Sequence, residues 1–119
     1  VFRYRFPLVS GVNKPTLIET YYDSDSEAIN YDKIIITEIS CGGDHSLFLT
    51  SEGRAYSCGD NLNGQLGLGT NGEGNDKSSP TLIETYYYNS GKSRNYSNIR
   101  ITEITANYYH SLFLYNYKN

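Results

Sequence analysis

Four groups of residues in this chain have the types and spacing for chemistry. Asp44-His45-Ser46 offers a carboxylate, an imidazole and a hydroxyl, the three functions of a hydrolytic triad. Cys41, His45 and Cys58 are donors that zinc accepts, and residues 67–72 (GLGTNG) carry the glycine spacing of a dinucleotide loop. Asn95-Tyr96-Ser97 is a glycosylation sequon, of use only to a secreted chain. Physical tests remove the first three. Consecutive residues of a strand point to opposite faces, whereas a triad needs convergent side chains. Three unclustered donors without a fourth make a poor zinc site. No amphipathic helix follows the glycine loop, and Pro80 comes soon after it. No catalytic, metal or cofactor-binding residue is therefore assigned, and the chain reads as a non-enzymatic one that needs no cofactor.

The stronger signal is an internal repeat. Residues 14–50 align without a gap on residues 79–115, each residue 65 positions before its partner, and 20 of the 37 pairs are identical. Such a unit cannot bury its apolar face alone and needs neighbours of the same kind. Three segments follow: 1–13 as the remnant of a preceding blade, 14–78 as one full repeat, and 79–119 as a second, incomplete one. At 119 residues, with no methionine, the chain is expected to be a piece of a longer protein.

Bulk properties narrow the partners. The formal charge of −3 and the scattered Lys and Arg give no basic surface for nucleic acid. No apolar run approaches the roughly 20 residues of a membrane-spanning helix. Two cysteines are too few for a disulfide scaffold, which favours a reducing compartment, cytoplasmic or nuclear. No small-molecule substrate is evident.

The apolar residues lack helical spacing, and Gly, Pro, Asn, Asp and Ser interrupt the chain every few residues, so the pattern is all-β. Strands are expected at 34–39 (IIITEI), 45–50 (HSLFLT), 54–58 (RAYSC) and 80–85 (PTLIET), with Pro80 tolerated at a strand start. Ser51-Glu52-Gly53 is read as a tight hairpin with glycine in the left-handed conformation. Residues 59–69 (GDNLNGQLGLG) read as a turn plugged by Leu62, Leu66 and Leu68. Four short antiparallel strands per repeat describe a propeller blade.

The ordered set Ile39 to Leu49 (ISCGGDHSLFL), Glu52-Gly53, Tyr56, Cys58-Gly59-Asp60-Asn61, Gly64 to Gly69 (GQLGLG) and Pro80 resembles the repeat of the regulator of chromosome condensation family. The resemblance covers Pro15 to about Leu114. It implies a seven-bladed β-propeller, of which about two blades are present. That family includes exchange factors for the small GTPase Ran, propellers attached to ubiquitin ligases or kinases, and a bacterial inhibitor of β-lactamase. Three departures stand out. Cys58 replaces a frequent tryptophan, Ala106 to Tyr109 (ANYY) replaces Cys41 to Asp44 (CGGD), and the period exceeds the roughly 40 to 50 residues of a usual blade. The excess is expected as loops at 22–34 and 87–99.

Gly42, His45, Gly53, Gly59, Gly64, Gln65, Gly67, Gly69, Pro80 and His110 are accordingly assigned to holding the blade. His45 and His110 share one repeat position, and a buried imidazole there is expected to bond backbone in a neighbouring strand. Where the copies differ at equal length, recognition is expected. Asp23, Asp25, Glu27 and Asp32 make one loop acidic, whereas the matching stretch carries Lys92, Arg94 and Arg100. The reading is a propeller module for protein–protein interaction. The resemblance adds a small GTPase as partner and guanine-nucleotide exchange as an activity, with a regulatory propeller on a ligase or kinase as the alternative. An enzyme with its site at the propeller channel is a further reading, for which the repeat supplies only two histidines, and the last is a segment without activity that self-associates through the exposed edge of two blades.

Overall fold

The computed structural model describes residues 17–88 and 91–118; the segment assigned to a preceding blade, 1–13, lies outside them. A short hairpin of β1 (Tyr21–Tyr22) and β2 (Ala28–Ile29) leads through a 3-10 turn at Tyr31–Lys33 into β3 (Ile36–Cys41), β4 (His45–Thr50), β5 (Ala55–Gly59) and β6 (Lys77–Leu82). The order then recurs: hairpin β7 (Thr85–Tyr88) and β8 (Lys92–Asn95), a 3-10 turn at Tyr96–Asn98, then β9 (Ile99–Asn107) and β10 (His110–Tyr117). Each 3-10 turn is capped by an asparagine, Asn30 accepting from the Asp32 N–H and Asn95 from the Ser97 N–H. The 65-residue repeat thus reappears as repeated structure.

Strands β3 to β6 form an antiparallel meander, and β1 joins β6 in parallel, so one sheet runs β2-β1-β6-β5-β4-β3. The second repeat contributes β9 and β10 as an antiparallel pair, with β7 and β8 as a separate hairpin. The segments expected as loops at 22–34 and 87–99 are therefore hairpins closed by 3-10 turns. Their Tyr-rich, β-branched flanks pair instead of remaining irregular.

Strand boundaries differ from the sequence expectation in three places. The strand placed at 34–39 occupies Ile36–Cys41, because Ile34 donates its N–H to the Tyr31 carbonyl and closes the 3-10 turn. The strand placed at 54–58 begins one residue later, at Ala55. The strand placed at 80–85 splits into β6 and β7, with Pro80 inside β6. Proline is accommodated there because the β5–β6 register slips between Ser57 and Gly59, leaving extra β6 residues out of the ladder.

A second irregularity recurs in both repeats. The β3–β4 register shifts so that Thr37 has no opposite residue, and the β9–β10 register shifts likewise at Thr102. Thr37 Oγ1 donates to the Leu49 carbonyl and Thr102 Oγ1 to the Leu114 carbonyl, both at 3.3 Å. One extra residue reverses the alternation of faces. Ile99 and Ile101 before the bulge consequently share a core with Ile104 after it.

Every residue of β4 is buried. Phe48 lies in one core with Tyr21, Ile36, Tyr56 and Leu82, while Leu47 and Leu49 lie in the other. Between β4 and β5, the hairpin turns on Gly53 at φ 77°, with the Gly53 N–H donated to Thr50 O and Thr50 N–H to Arg54 O. A side chain at 53 would also run into the Arg100 stem. Gly53→Ala is therefore expected to destabilise the chain by about 1–3 kcal/mol. Urea denaturation measures this, and an unchanged midpoint would contradict the strain assigned to the turn.

Candidate functional site

The groups that converge do so along the seam between the two repeats. Leu47, Leu49 and Ala55 of the first repeat present an apolar surface to Ile99, Ile101 and Ile104 of β9, with Phe113 and Tyr115 of β10 alongside. Burying each leucine or isoleucine contributes about 1.5–3 kcal/mol, so the seam is the main adhesive between the repeats.

Polar groups then fix its alignment. Ser111 Oγ lies 2.6 Å from the Gln65 carbonyl and 2.9 Å from His45 Nε2. The hydroxyl has one hydrogen and must give it to the carbonyl, so it accepts from His45 Nε2–H. That assigns the Nε2–H tautomer and leaves Nδ1 without a hydrogen-bond partner among the described residues. A side chain of the next repeat, Ser111, is thus a partner of His45, beside the His110 backbone that also acts on this ring. Gly42 packs directly on the Cε1–Nδ1 edge of this ring, where a methyl group would not fit. His110, in contrast, is exposed, so the two histidines share a repeat position but not an environment.

Further hydrogen bonds cross the seam, among them that of the Ile101 N–H to the Gly53 carbonyl at 2.9 Å. The Ala106 N–H donates to Ser40 Oγ at 2.9 Å, and the Gly43 N–H to Tyr108 O at 3.2 Å. Arg100 places its guanidinium on the carbonyls of Ser51 and Glu52, each at 2.9 Å, and so clamps the β4–β5 turn.

The glycine-rich segment supplies the Gln65 carbonyl. Asn61 is fully buried and organises it, accepting from Leu66 N–H and donating to Thr70 O and Oγ1, while its own N–H goes to Asp76 Oδ1. Gln65 donates to Asp60 Oδ2 and accepts from Asn63 N–H. Gly59, Gly64, Gly67 and Gly69 take positive φ within or beside this loop. Leu66 is buried, but Leu62 is exposed and does not act as the expected plug.

The cysteines do not assemble a site. Cys41 pairs with Ser46, and Ser46 with Cys58, which sets the two cysteines two strands apart, roughly 9–10 Å, beyond disulfide reach. Burial pushes the Cys58 thiol up to about 12, so it stays protonated. Among the described residues no group of three His, Cys, Asp or Glu could hold a metal ion.

The charged residues of the inserted hairpins fall into unlike positions. Asp23 is committed to the β1–β2 turn, its carboxylate accepting from the Asp25 and Glu27 N–H groups at 2.9 Å. The side chains of Asp25 and Glu27 are exposed, while the Ser24 N–H is held by Glu84 Oε2 at 2.7 Å. Asp32 lies in the 3-10 turn below. Lys92 is exposed on β8, but Arg94 is stacked between the Tyr88 and Tyr117 rings at 4.9 and 4.3 Å. Sequence reasoning missed Ser111, Gln65 O and Arg100 as seam groups. The identical His-Ser pairs at 45–46 and 110–111 carried the signal, but not the crossing of one repeat's histidine to the next repeat's serine.

A four-stranded meander, a seam that joins it to the first strands of a like unit, and a structural period of 65 residues define a β-propeller built of repeats. Matches to the Regulator of chromosome condensation (RCC1) repeat cover residues 36–65 and 52–114, and the chain belongs to that family. A human RCC1-like G exchanging factor-like protein is 52% identical over 48 residues, which is 40% of this chain and 10% of the relative. The human probable E3 ubiquitin-protein ligase HERC3 is 53% identical over 32 residues, 27% of this chain and 3% of the relative. The chain thus spans a tenth or less of the length of these two relatives. Prp20p of Saccharomyces cerevisiae, a protein with binding properties toward Gsp1p and histones, has the same fold, with a TM-score of 0.57 at 20% identity over 84% of this chain and 22% of that one.

Removing the Ser111 hydroxyl leaves His45 Nε2–H and the Gln65 carbonyl without it. Ser111→Ala is expected to cost about 1–3 kcal/mol in denaturant unfolding. Burial lowers the His45 pKa from 6.5, against smaller opposing effects of the His110 backbone, Asp60 and Asp44. The unfolded chain therefore takes up this proton more readily. The stability that neutral His45 contributes is complete above pH 6.5 and is lost as pH falls below that value toward the lowered folded pKa. The difference in unfolding midpoint between wild type and His45→Gln should narrow between about pH 7 and about pH 5. A constant difference would contradict a neutral, buried imidazole.

Proposed function

We propose that this chain is a protein-recognition part of a β-propeller, presenting its inserted hairpins to a protein partner from a rigid blade. The observation that carries the reading is the contrast between frame and insert. The frame positions repeat at a spacing of 65 and are engaged in the seam, whereas the hairpin tips carry Asp25 and Glu27 in one copy and Lys92 in the other, all exposed. Exposed charge at fixed positions steers association and selects partners. Arg94, held between two tyrosines, belongs to the support of that surface rather than to its contacts.

A small GTPase is the partner we favour, with nucleotide exchange as the activity of the whole protein. Support comes from the G exchanging factor-like relative and from the Gsp1p-binding Prp20p, which shares the fold. The same repeat in a ubiquitin ligase argues that the blade supplies recognition, and that the attached context decides the outcome. The free thiols suit a reducing compartment, the cytoplasm or nucleus. Among the described residues no helix is long and apolar enough to cross a membrane.

Binding to a purified small GTPase, in nucleotide-bound and nucleotide-free forms, is the direct test. Asp25→Lys with Glu27→Lys should slow association about tenfold at low salt, less at high salt, while leaving stability within about 0.5 kcal/mol. Absence of binding to either form would remove the GTPase reading. Equal association rates for the variant would remove the hairpin from the contact.

A further inference from the structure

The glycine-rich loop carries two Asn-Gly pairs, Asn63-Gly64 and Asn71-Gly72. Asparagine is among the chemically labile residues, because the next backbone nitrogen can attack its side-chain amide carbon. A following glycine, having no Cβ, puts least in the way of that attack. Asn63 and Asn71 are both exposed, so water reaches them.

One backbone carbonyl restrains both pairs. Asn61 O accepts the Gly64 N–H at 3.2 Å and the Gly72 N–H at 3.1 Å, and the Gly72 N–H is shared with Leu62 O at 3.2 Å. An N–H committed to a carbonyl gives up its proton less readily, and its nitrogen is held away from the side chain before it. The restraint is weaker on Gly64, which has one acceptor where Gly72 has two. Asn63 is also tied to the seam between the repeats. Its N–H donates to Gln65 Oε1 at 2.9 Å, and the Gln65 carbonyl is the one that takes the Ser111 hydroxyl at 2.6 Å. Asn71 has no such link; its carbonyl accepts from Asn75 Nδ2 within the exposed end of the loop.

We propose that Asn63-Gly64 is a self-modification site gated by the seam. Loosening of the seam frees Gln65, the Gly64 N–H leaves Asn61 O, and the Gly64 nitrogen attacks Asn63 Cγ. The N–Cγ bond forms as the Cγ–Nδ2 bond breaks, and the side-chain nitrogen departs as ammonia with the hydrogen that Gly64 gives up. Water then opens the cyclic imide at either carbonyl, giving aspartate or isoaspartate. Only water is consumed, and no enzyme or oxidant is needed. Both products add a negative charge near Asp60, which already accepts from Gln65 Nε2. Isoaspartate also inserts a methylene into the backbone between positions 63 and 64, so the turn on Asn61 O does not close again. A reversible loosening of the seam is thereby made permanent.

Incubating the purified chain in mildly alkaline buffer, then mapping peptides for aspartate and isoaspartate at positions 63 and 71, tests this. Conversion of Asn63 should be slow in native buffer and at least about tenfold faster in urea, where the loop is open. In native buffer Ser111→Ala should speed conversion of Asn63 about tenfold, and that of Asn71 by less. Arg100→Ala loosens the seam at a different point, on the β4–β5 turn, and should act in the same direction. Asn63→Gln should abolish the signal at position 63. Equal rates in native buffer and urea overturn the gate. Unchanged Asn63 conversion in both seam variants, or acceleration of Asn63 and Asn71 alike, overturns the link to the seam. Faster conversion of Asn71 than of Asn63 in the native wild type overturns the choice of site.

Discussion

The apolar seam between successive repeats is the constraint on which the remaining structure depends. A blade of this kind has two apolar faces, as the complete burial of β4 shows, and hydrogen bonds within its own sheet cover neither. Leu47 and Leu49 are removed from water only because the next repeat brings Ile99, Ile101 and Ile104 against them. Stability is therefore shared between neighbours, in the manner of quasi-one-dimensional proteins. The bulge at Thr102 serves this seam, since without the reversal of faces that it introduces, Ile104 would turn away from it.

Polar contacts add alignment to that adhesion. Apolar surfaces slide, whereas the Ser111 hydroxyl accepts only one placement between the Gln65 carbonyl and His45. The carbonyl is in turn positioned by the Asn61 network, which satisfies the backbone of a loop too irregular to satisfy itself. A glycine-rich stretch that invites comparison with cofactor loops thus supports the next blade. The acidic and basic residues of the hairpins divide on similar lines: Asp23 and Arg94 are committed to local structure, while Asp25, Glu27 and Lys92 are exposed.

Much of this was legible in the residues. The gapless repeat, the β4 boundaries and the Gly53 hairpin followed from spacing and turn chemistry, because those signals are local or recur at one fixed offset, and the family from the resemblance of an ordered set of motif residues. The inserted hairpins were not legible as strands. Two-residue strands such as β1 carry too few alternations to register, and β1 acquires its partner β6 from residues about 60 positions away. The place of Pro80 inside β6 was hidden for a related reason, since only the slipped register against β5 frees it from the ladder.

By itself, then, the sequence determined the repeat unit, its β character and the residue types available at each position, since these depend on local propensity and periodicity. Tertiary structure alone decided which copies of those types are buried. Leu47 and Leu112, or His45 and His110, cannot be told apart by their neighbours in the chain. They differ because one of each pair has a following repeat packed against it, and burial is a property of what lies across the seam.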